Sequence, residues 1–348
     1  MKSRPHPRPI KFLLNFRLRR SALRRFVPAR LKDWARIQKY NLLLAYLSLS
    51  RVRGRAFFAA LLSLARRRKR VLFYPDLPGV NAVLYQVCLL LGCRITNDPE
   101  ARFDLALRWR DATRYTPDAP LLALGEKVPV LNLGCLDIGK AKIDQVFREV
   151  FGYGTLVDPL SHQGVCVRKS DQNARHDGQV IQAPVPAPEA GYIYQRLIDN
   201  RISDDCVLDI RVPVFQGCLP FAALWEKPLA ARFSTRIEEV RMVEASQVFS
   251  AQEQERLLRF CERMGLDYGE LDVLRDREDG RIYVVDVNNT PTGPTREPED
   301  LELQAQAFGG LLRRAGLPQE APEGAPDPGP ASEGNRTVFP RRSAGSGA

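Results

Sequence analysis

The feature that most limits the folds open to this chain is a pair of alternating runs, GELDVLR (269–275) and GRIYVVDVN (280–288), linked through DREDG. Apolar and polar residues alternate with period two in both, and the link is short and rich in Asp and Gly, so the pair reads as a β-hairpin. On its second strand Ile282, Val284, Asp286 and Asn288 share one face, while Tyr283, Val285 and Val287 take the other. One face therefore turns polar as the strand ends, before the prolines of NTPTGPT break it. A turn centred near Asp279 sets Asp272 directly opposite Asp286. Like charges facing each other across two strands are destabilising. A sheet edge open to water relieves that repulsion, and so does a hard cation between the carboxylates. Mg²⁺ prefers oxygen ligands and commonly takes one or two carboxylates. Asn288 adds an amide oxygen on the same face.

The sequence upstream of this hairpin alternates strands with helices. RVLFYPDLPG (70–79) is an apolar strand ending in a turn, and NAVLYQVCLLLG (81–92) has helical spacing with a glycine stop. FDLALRW (103–109) and VPVLNLG (128–134) read as further strands, which together predict a small α/β domain with a mainly parallel sheet. It contains no GxGxxG, so no dinucleotide site is expected there. KAKIDQVFREVFG (140–152) is a helix. Strands or strand ends follow in GVCVRKSDQNARHDGQVI (164–181), GYIYQRLIDN (191–200) and CVLDIRVPVFQG (206–217). SAQEQERLLRFCERMG (250–265) is an amphipathic helix with Ser250 as N-cap and Glu253 at the capping-box spacing.

Charge divides the chain. Residues 1–70 hold 21 of the 52 Lys and Arg and one of the 41 acidic residues, so they carry +20 and leave −9 for the rest. The arm lacks the apolar core of a signal peptide and of a twin-arginine signal. Its apolar stretches YNLLLAYLSLS (40–50) and AFFAALLSLA (56–65) are each too short to cross a bilayer. Two short helices around Gly54, followed by RRRKR (66–70), fit better. Such an arm can pack on its own body, lie on anionic lipid or dock on an acidic partner. Nucleic acid fits less well, because apolar stretches interrupt the charge and no nucleic-acid motif is present. The seven cysteines stand singly, with no CxxC and no histidine cluster, which argues against a zinc site and a secreted disulfide framework. A cytoplasmic location, with the membrane surface as an alternative for the arm, follows as the expectation. Beyond 317 the chain is rich in Pro, Gly and Ser and is expected to be disordered.

Four cations follow one another along the body. Lys140 opens a helix, Lys169 ends an apolar strand before SDQNARHDG, Arg211 stands two residues from Asp209, and Arg232 lies in LAARFSTR. Lysine as a point charge and arginine as a fork both suit phosphate. Singly, each also reads as a surface charge, and Asp209 with Arg211 as a same-face ion pair.

Taken in order, these motifs resemble the ATP-grasp superfamily over about 71 to 293, most strongly from Lys140 onward. DIGKAK with Lys140 resembles the lysine before the nucleotide-binding subdomain, and VCVRKSDQNARHDG with Lys169 the lysine before the phosphate-covering loop. YIYQRLI resembles the adenine-reading hinge, which places Gln195, Arg196 and Leu197 at the cofactor. LDIRVPVFQG resembles the strand carrying Asp-x-Arg. GELDVLR and GRIYVVDVNNTP resemble the metal signature. The resemblance implies that Asp272, Asp286 and Asn288 hold Mg²⁺, that Lys140 and Lys169 hold ATP, and that Arg211 and Arg232 face phosphates or an acyl phosphate. Two departures stand out. The loop has Gly178 as its sole glycine, with Asn173 and His176 where flexible backbone is usual, and Asp286 replaces the commoner Glu. His176 reads as a hydrogen-bonding loop residue.

The fold expected is α/β (α+β): an ATP-grasp fold with a basic helical extension (1–70), a small parallel-sheet domain (71–135), the ATP-grasp domain (136–316) and a tail (317–348). The activity implied is an ATP- and Mg²⁺-dependent ligase that joins a small-molecule carboxylate to an amine, thiol or other nucleophile through an acyl phosphate. Kinase-like phosphoryl transfer to a hydroxyl, and a non-catalytic nucleotide-binding module tethered by its arm, are the alternatives.

Overall fold

The computed structural model describes residues 28–50, 68–173, 175, 177–292 and 298–315. Val71, Leu72 and Phe73 are apolar on both sides of the pleat, which suits a strand covered on both faces. They form β1 (Arg70–Pro75), and all three are buried. Parallel neighbours β2 (Arg94–Thr96), β3 (Leu105–Trp109) and β4 (Val130–Leu131) complete a sheet of order β2-β1-β3-β4. The parallel sheet is the one expected, but one of its helices is not. α2 (Val83–Leu90) lies where the spacing put it, whereas α3 (Ala119–Lys127) occupies a stretch without a helical assignment in the sequence reading. Asp118 caps α3 by accepting from the Leu121 N–H at 3.0 Å. The strand read over 128–134 shrinks to Val130–Leu131, because Asn132 turns the chain with φ of 60°.

A single helix α1 (Ala29–Ser50) replaces the shorter one expected at 40–50. Its Tyr40 is buried against the parallel-sheet core and donates from its hydroxyl to the Cys93 carbonyl at 2.8 Å. The helix expected at 56–65, Gly54, His176 and the tail from 317 lie outside the described residues. No described helix is long and apolar enough to cross a membrane.

Two antiparallel sheets follow α4 (Lys140–Phe151). β5 (Gly164–Ser170), β6 (Gln179–Ala183) and β7 (Tyr192–Arg196) form the smaller, of order β6-β5-β7. The larger has order β10-β9-β8-β11-β12 and comprises β8 (Cys206–Phe215), β9 (Ala222–Pro228), β10 (Glu239–Val243), β11 (Tyr268–Arg275) and β12 (Ile282–Asn288). Between β10 and β11 lie α5 (Ala245–Val248) and α6 (Ala251–Met264), and Ser250 and Glu253 form the expected capping box on α6. α4 and α6 cover one face of the larger sheet, where Phe147, Phe260, Leu271, Val273 and Tyr283 are buried in one core. The last helix, α7 (Pro298–Ala315), returns to pack on α2, so Phe308, Leu311 and Leu312 join the core of the parallel sheet. Phe215 and Tyr268 of the larger sheet belong to that same core.

The hairpin carries a bulge. Arg275 pairs with Ile282 and Val273 with Val284, yet Asp272 pairs with Asp286, so Val285 is the extra residue. A regular ladder continued from the turn would have set Asp272 against Val285. The bulge brings Asp286 and Asn288 into register with Asp272 and Glu270.

Candidate functional site

A cleft of about 560 Å³ is lined by β5 and its following loop, by β8, β9, β11 and β12, and by the first turns of α7. Seven of the ten residues singled out from the sequence line it: Lys140, Lys169, Arg211, Arg232, Asp272, Asp286 and Asn288. The opposed pair Asp272 and Asp286 lies among them. Oδ1 of Asp272 is buried without a hydrogen-bond partner. Burial first, and then the charges of Asp286 and Glu270, push the Asp272 carboxyl up to about 7 against the pull of Arg211.

The cations are arranged around these acids. Lys140 Nζ donates to the Gln172 carbonyl at 3.1 Å and lies 3.8 Å from Asp286 Oδ2. Lys169 Nζ donates to the Val285 carbonyl at 3.2 Å, so the bulge supplies the acceptor that holds this lysine in place. Burial, opposed by the charge of Asp286, brings the Lys169 ammonium down to about 8. Arg211 reaches Glu270 at 2.5 Å and Asp272 at 3.2 Å, and its guanidinium stacks on Trp225 with 4.1 Å to the ring centroid. Burial works against that cation, but the charges of Asp272 and Glu270 outweigh it and hold its pKa above the ordinary arginine value. Arg232 donates to the Ile198 carbonyl and to Asn200 Oδ1, both at 2.9 Å.

The expected same-face pair of Asp209 with Arg211 does not form. Asp209 instead pairs with buried Lys227 at 2.6 Å, and the neighbouring β9 strand supplies that partner. Glu270, Trp225 and Lys227 line the cleft and were missed from the sequence. Glu270 had a usable signal, since it stands two residues before Asp272 and so shares its face. Trp225 and Lys227 had none, because nothing local shows that β9 pairs with β8.

The three hinge residues are not among those lining the cleft. Gln195 is buried and donates to Thr155 Oγ1 at 2.7 Å. Arg196 pairs with Asp276 at 3.1 Å and donates to the Tyr283 hydroxyl at 2.8 Å, while its backbone N–H donates to the Thr155 carbonyl at 2.7 Å. Leu197 is half-buried beside them. Gly178 in the loop after β5 has a packing reason: a Cβ there would stand 2.9 Å from the Phe233 ring.

Among the described residues no group of three His, Cys, Asp or Glu side chains is arranged to hold an ion. Two opposed carboxylates with one orphaned buried oxygen, beside Asn288, form a smaller oxygen set. That set suits Mg²⁺, which keeps waters and takes phosphate oxygens for its remaining positions.

No protein-family model matches the chain, and comparison with curated proteins finds no match. Solved structures do. The chain is similar in fold to ATP-grasp ligases. The ATP-grasp ligase PsnB with a minimal precursor matches at 15% identity and a TM-score of 0.47, over 71% of this chain and 100% of that one. A PsnB complex with a phosphomimetic precursor variant, Mg and ADP matches at 17% identity and a TM-score of 0.39, over 56% of this chain and 65% of that one, just under two thirds of its length. The VanG D-Ala:D-Ser ligase from Enterococcus faecalis matches at 10% identity and a TM-score of 0.45, over 71% and 100%. Likeness at this level describes an arrangement of elements; chemistry has to come from the cleft.

Proposed function

We propose that the chain is an ATP- and Mg²⁺-dependent ligase that activates a small-molecule carboxylate as an acyl phosphate for attack by an amine or another nucleophile. One observation carries this reading. Asp272 and Asp286 oppose each other, with a buried acceptor unsatisfied, inside a cleft that also holds Lys140, Lys169 and Arg211. Carboxylates placed so close to one another and to cations are suited to a metal–phosphate ligand, which takes negative charge on one side and positive on the other.

Bound Mg·ATP supplies the phosphoryl group and screens its charge. The residues supply the rest. Asp272, Asp286 and Asn288 would hold the metal. Lys140 and Lys169 would hold phosphate oxygens, exchanging their backbone acceptors at Gln172 and Val285 for them. Arg211, oriented by Glu270 and the Trp225 ring, would meet the charge that develops on the transferred group. Arg232, also in the lining of the cleft, would face the phosphates or the acyl phosphate. Phosphoryl transfer depends on alignment and charge neutralisation more than on a covalent protein group, and this set provides both. In this reading residues 136–316 bind the nucleotide, with Gln195, Arg196 and Leu197 toward its adenine end, and residues 71–135 contribute to acceptor binding.

The test is calorimetry of a non-hydrolysable ATP analogue with and without Mg²⁺, on the wild type and on Asp286→Asn. Binding that needs the metal and weakens in the variant is the expected result. Equal binding in the two proteins would overturn the assignment of the metal site, and no binding in either would overturn the nucleotide site.

A further inference from the structure

Part of the cleft lining is built differently from the Asp272–Arg211 cluster. Val83, Pro291, Thr292, Asp300 and Gln304 also line the cleft, the last two from successive turns of α7. Gln304 is 4% exposed although it borders an open cleft, and its side-chain amide donates to Asp300 Oδ1 at 3.3 Å. Four other carboxylates lining the cleft are ion-paired, Asp209 with Lys227, Glu270 and Asp272 with Arg211, and Asp286 with Lys140, while Asp177 accepts from the Ser170 N–H at 3.0 Å. Asp300 has no cation within ion-pair distance among the described residues. Burial, together with the charge of Glu270, holds its carboxyl up at about 6 against the Gln304 hydrogen bond. A carboxylate left in that position gains from any cation that enters, and repels an anion. Val83 and Pro291 in the lining of the same cleft offer apolar contact suited to a methylene chain.

We infer that Asp300, oriented by Gln304, binds a protonated amine on the nucleophilic substrate, and that this substrate is a diamine-type molecule with a second amine that attacks. The inference rests on the ligase reading above. Where the nucleophile is an amine, it has to be a second one. An ammonium held by a carboxylate keeps its proton and has no lone pair to give. The attacking amine must be neutral, near the phosphate end. Its lone pair forms the C–N bond, the C–O bond to phosphate breaks, phosphate leaves with that electron pair, and the proton lost from nitrogen passes to phosphate or water. The retained ammonium fixes the other end of the chain against Asp300, so that attack comes from one direction. Asp300 and Gln304 are thus specificity-determining residues, outside the phosphate-transfer set.

The experiment is calorimetry on the full chain preloaded with Mg²⁺ and a non-hydrolysable ATP analogue. It is titrated with 1,3-diaminopropane, 1,4-diaminobutane and lysine, and in parallel with butylamine and 4-aminobutyrate. At least one diamine is expected to bind, with butylamine and 4-aminobutyrate markedly weaker. Asp300→Asn should weaken the diamine roughly 10- to 100-fold, the scale of one charge-assisted hydrogen bond. Asp300→Glu should recover part of the loss, and nucleotide affinity should stay at the wild-type value in both variants. Diamine binding unchanged in Asp300→Asn, equal binding of butylamine, or no diamine bound by a protein that binds the nucleotide would each overturn this inference and leave the ligase reading standing. Failure to bind Mg-nucleotide would overturn both, and the preloading step separates that outcome from the others.

Discussion

Asp300 and Asp272 show how a side chain's cost can point to its use. Both are carboxyls lifted by burial, to about 6 and about 7. For Asp300 the consequence for stability has a definite sign. Its folded pKa lies above the ordinary 3.8, so the folded state binds more protons between the two values. The neutral acid therefore favours folding: its contribution is complete below about pH 4 and is lost as pH rises through 6. Asp300→Asn keeps the shape and removes the charge. The melting temperature of the variant relative to wild type is expected to rise between pH 4 and 7, by the equivalent of about 1–2 kcal/mol once partial exposure is allowed for. A difference that stays flat across that range would show that the carboxyl titrates as it does in water. At this scale the sequence was legible wherever parity decided the matter, as it did for Asp286, Asn288 and Asp272. It was silent on Asp300, which joins the cleft because α7 folds back.

Among the elements, α6 shows its local cause in the sequence. α6 starts at Ser250 because the Ser250 hydroxyl accepts from the Glu253 N–H at 3.2 Å and Glu253 accepts from the Ser250 N–H at 2.9 Å. Glu253 also binds Arg275 of β11 at 2.8 Å, which ties the helix start to the β11–β12 hairpin. Ser250→Ala is expected to cost about 1 kcal/mol, the usual value of a cap. Glu253→Ala should cost more, because it also leaves Arg275 without its carboxylate. Urea denaturation of the two variants tests the order, and equal losses would mean that the tie to β11 contributes nothing. α3 went unread although Asp118 and Pro120 mark its start, since Gly125 interrupts the helical pattern. The hairpin register came out right for an incomplete reason. Symmetry about Asp279 pairs Asp272 with Asp286, yet the turn-side ladder is centred half a residue earlier and the Val285 bulge makes up the difference. Bulges of this kind depend on both strands, and the period-two pattern of one strand does not reveal them.

The molecule as a whole depends on a joint that sequence periodicity cannot express. Asn132, at the end of β4, is fully buried and holds φ of 60°, a left-handed conformation that asparagine tolerates better than most residues. Its Oδ1 accepts from the N–H groups of Asp267 at 2.8 Å and Tyr268 at 2.9 Å, and its Nδ2 donates to the Tyr268 carbonyl at 2.7 Å. Asp267 answers by accepting from the Asn132 N–H at 2.7 Å. Beneath this exchange, buried Arg108 of β3 donates to the Asn132 carbonyl at 2.7 Å. Nearby, Gly265 comes so close to Gly134 that a Cβ would stand 2.5 Å from its carbonyl carbon. The parallel sheet is thus joined to β11 by this set of buried hydrogen bonds. Asn132→Gly keeps the left-handed backbone and removes the side-chain bonds. Asn132→Asp keeps the shape but replaces the donor with an oxygen facing the Tyr268 carbonyl. Leaving buried N–H groups unsatisfied costs about 1–3 kcal/mol each, so Asn132→Gly is expected to lose several kcal/mol in denaturant unfolding. Asn132→Asp should do at least as badly near neutral pH, because it loses the donor and sets a second carboxylate beside that of Asp267. The joint sits directly upstream of the segment leading to Lys140 and directly before the β11 strand that carries Glu270 and Asp272. Loosening it is therefore expected to weaken Mg-nucleotide binding in the folded fraction as well. A variant that loses stability but binds the nucleotide with wild-type affinity would show that the joint holds the fold without setting the cleft.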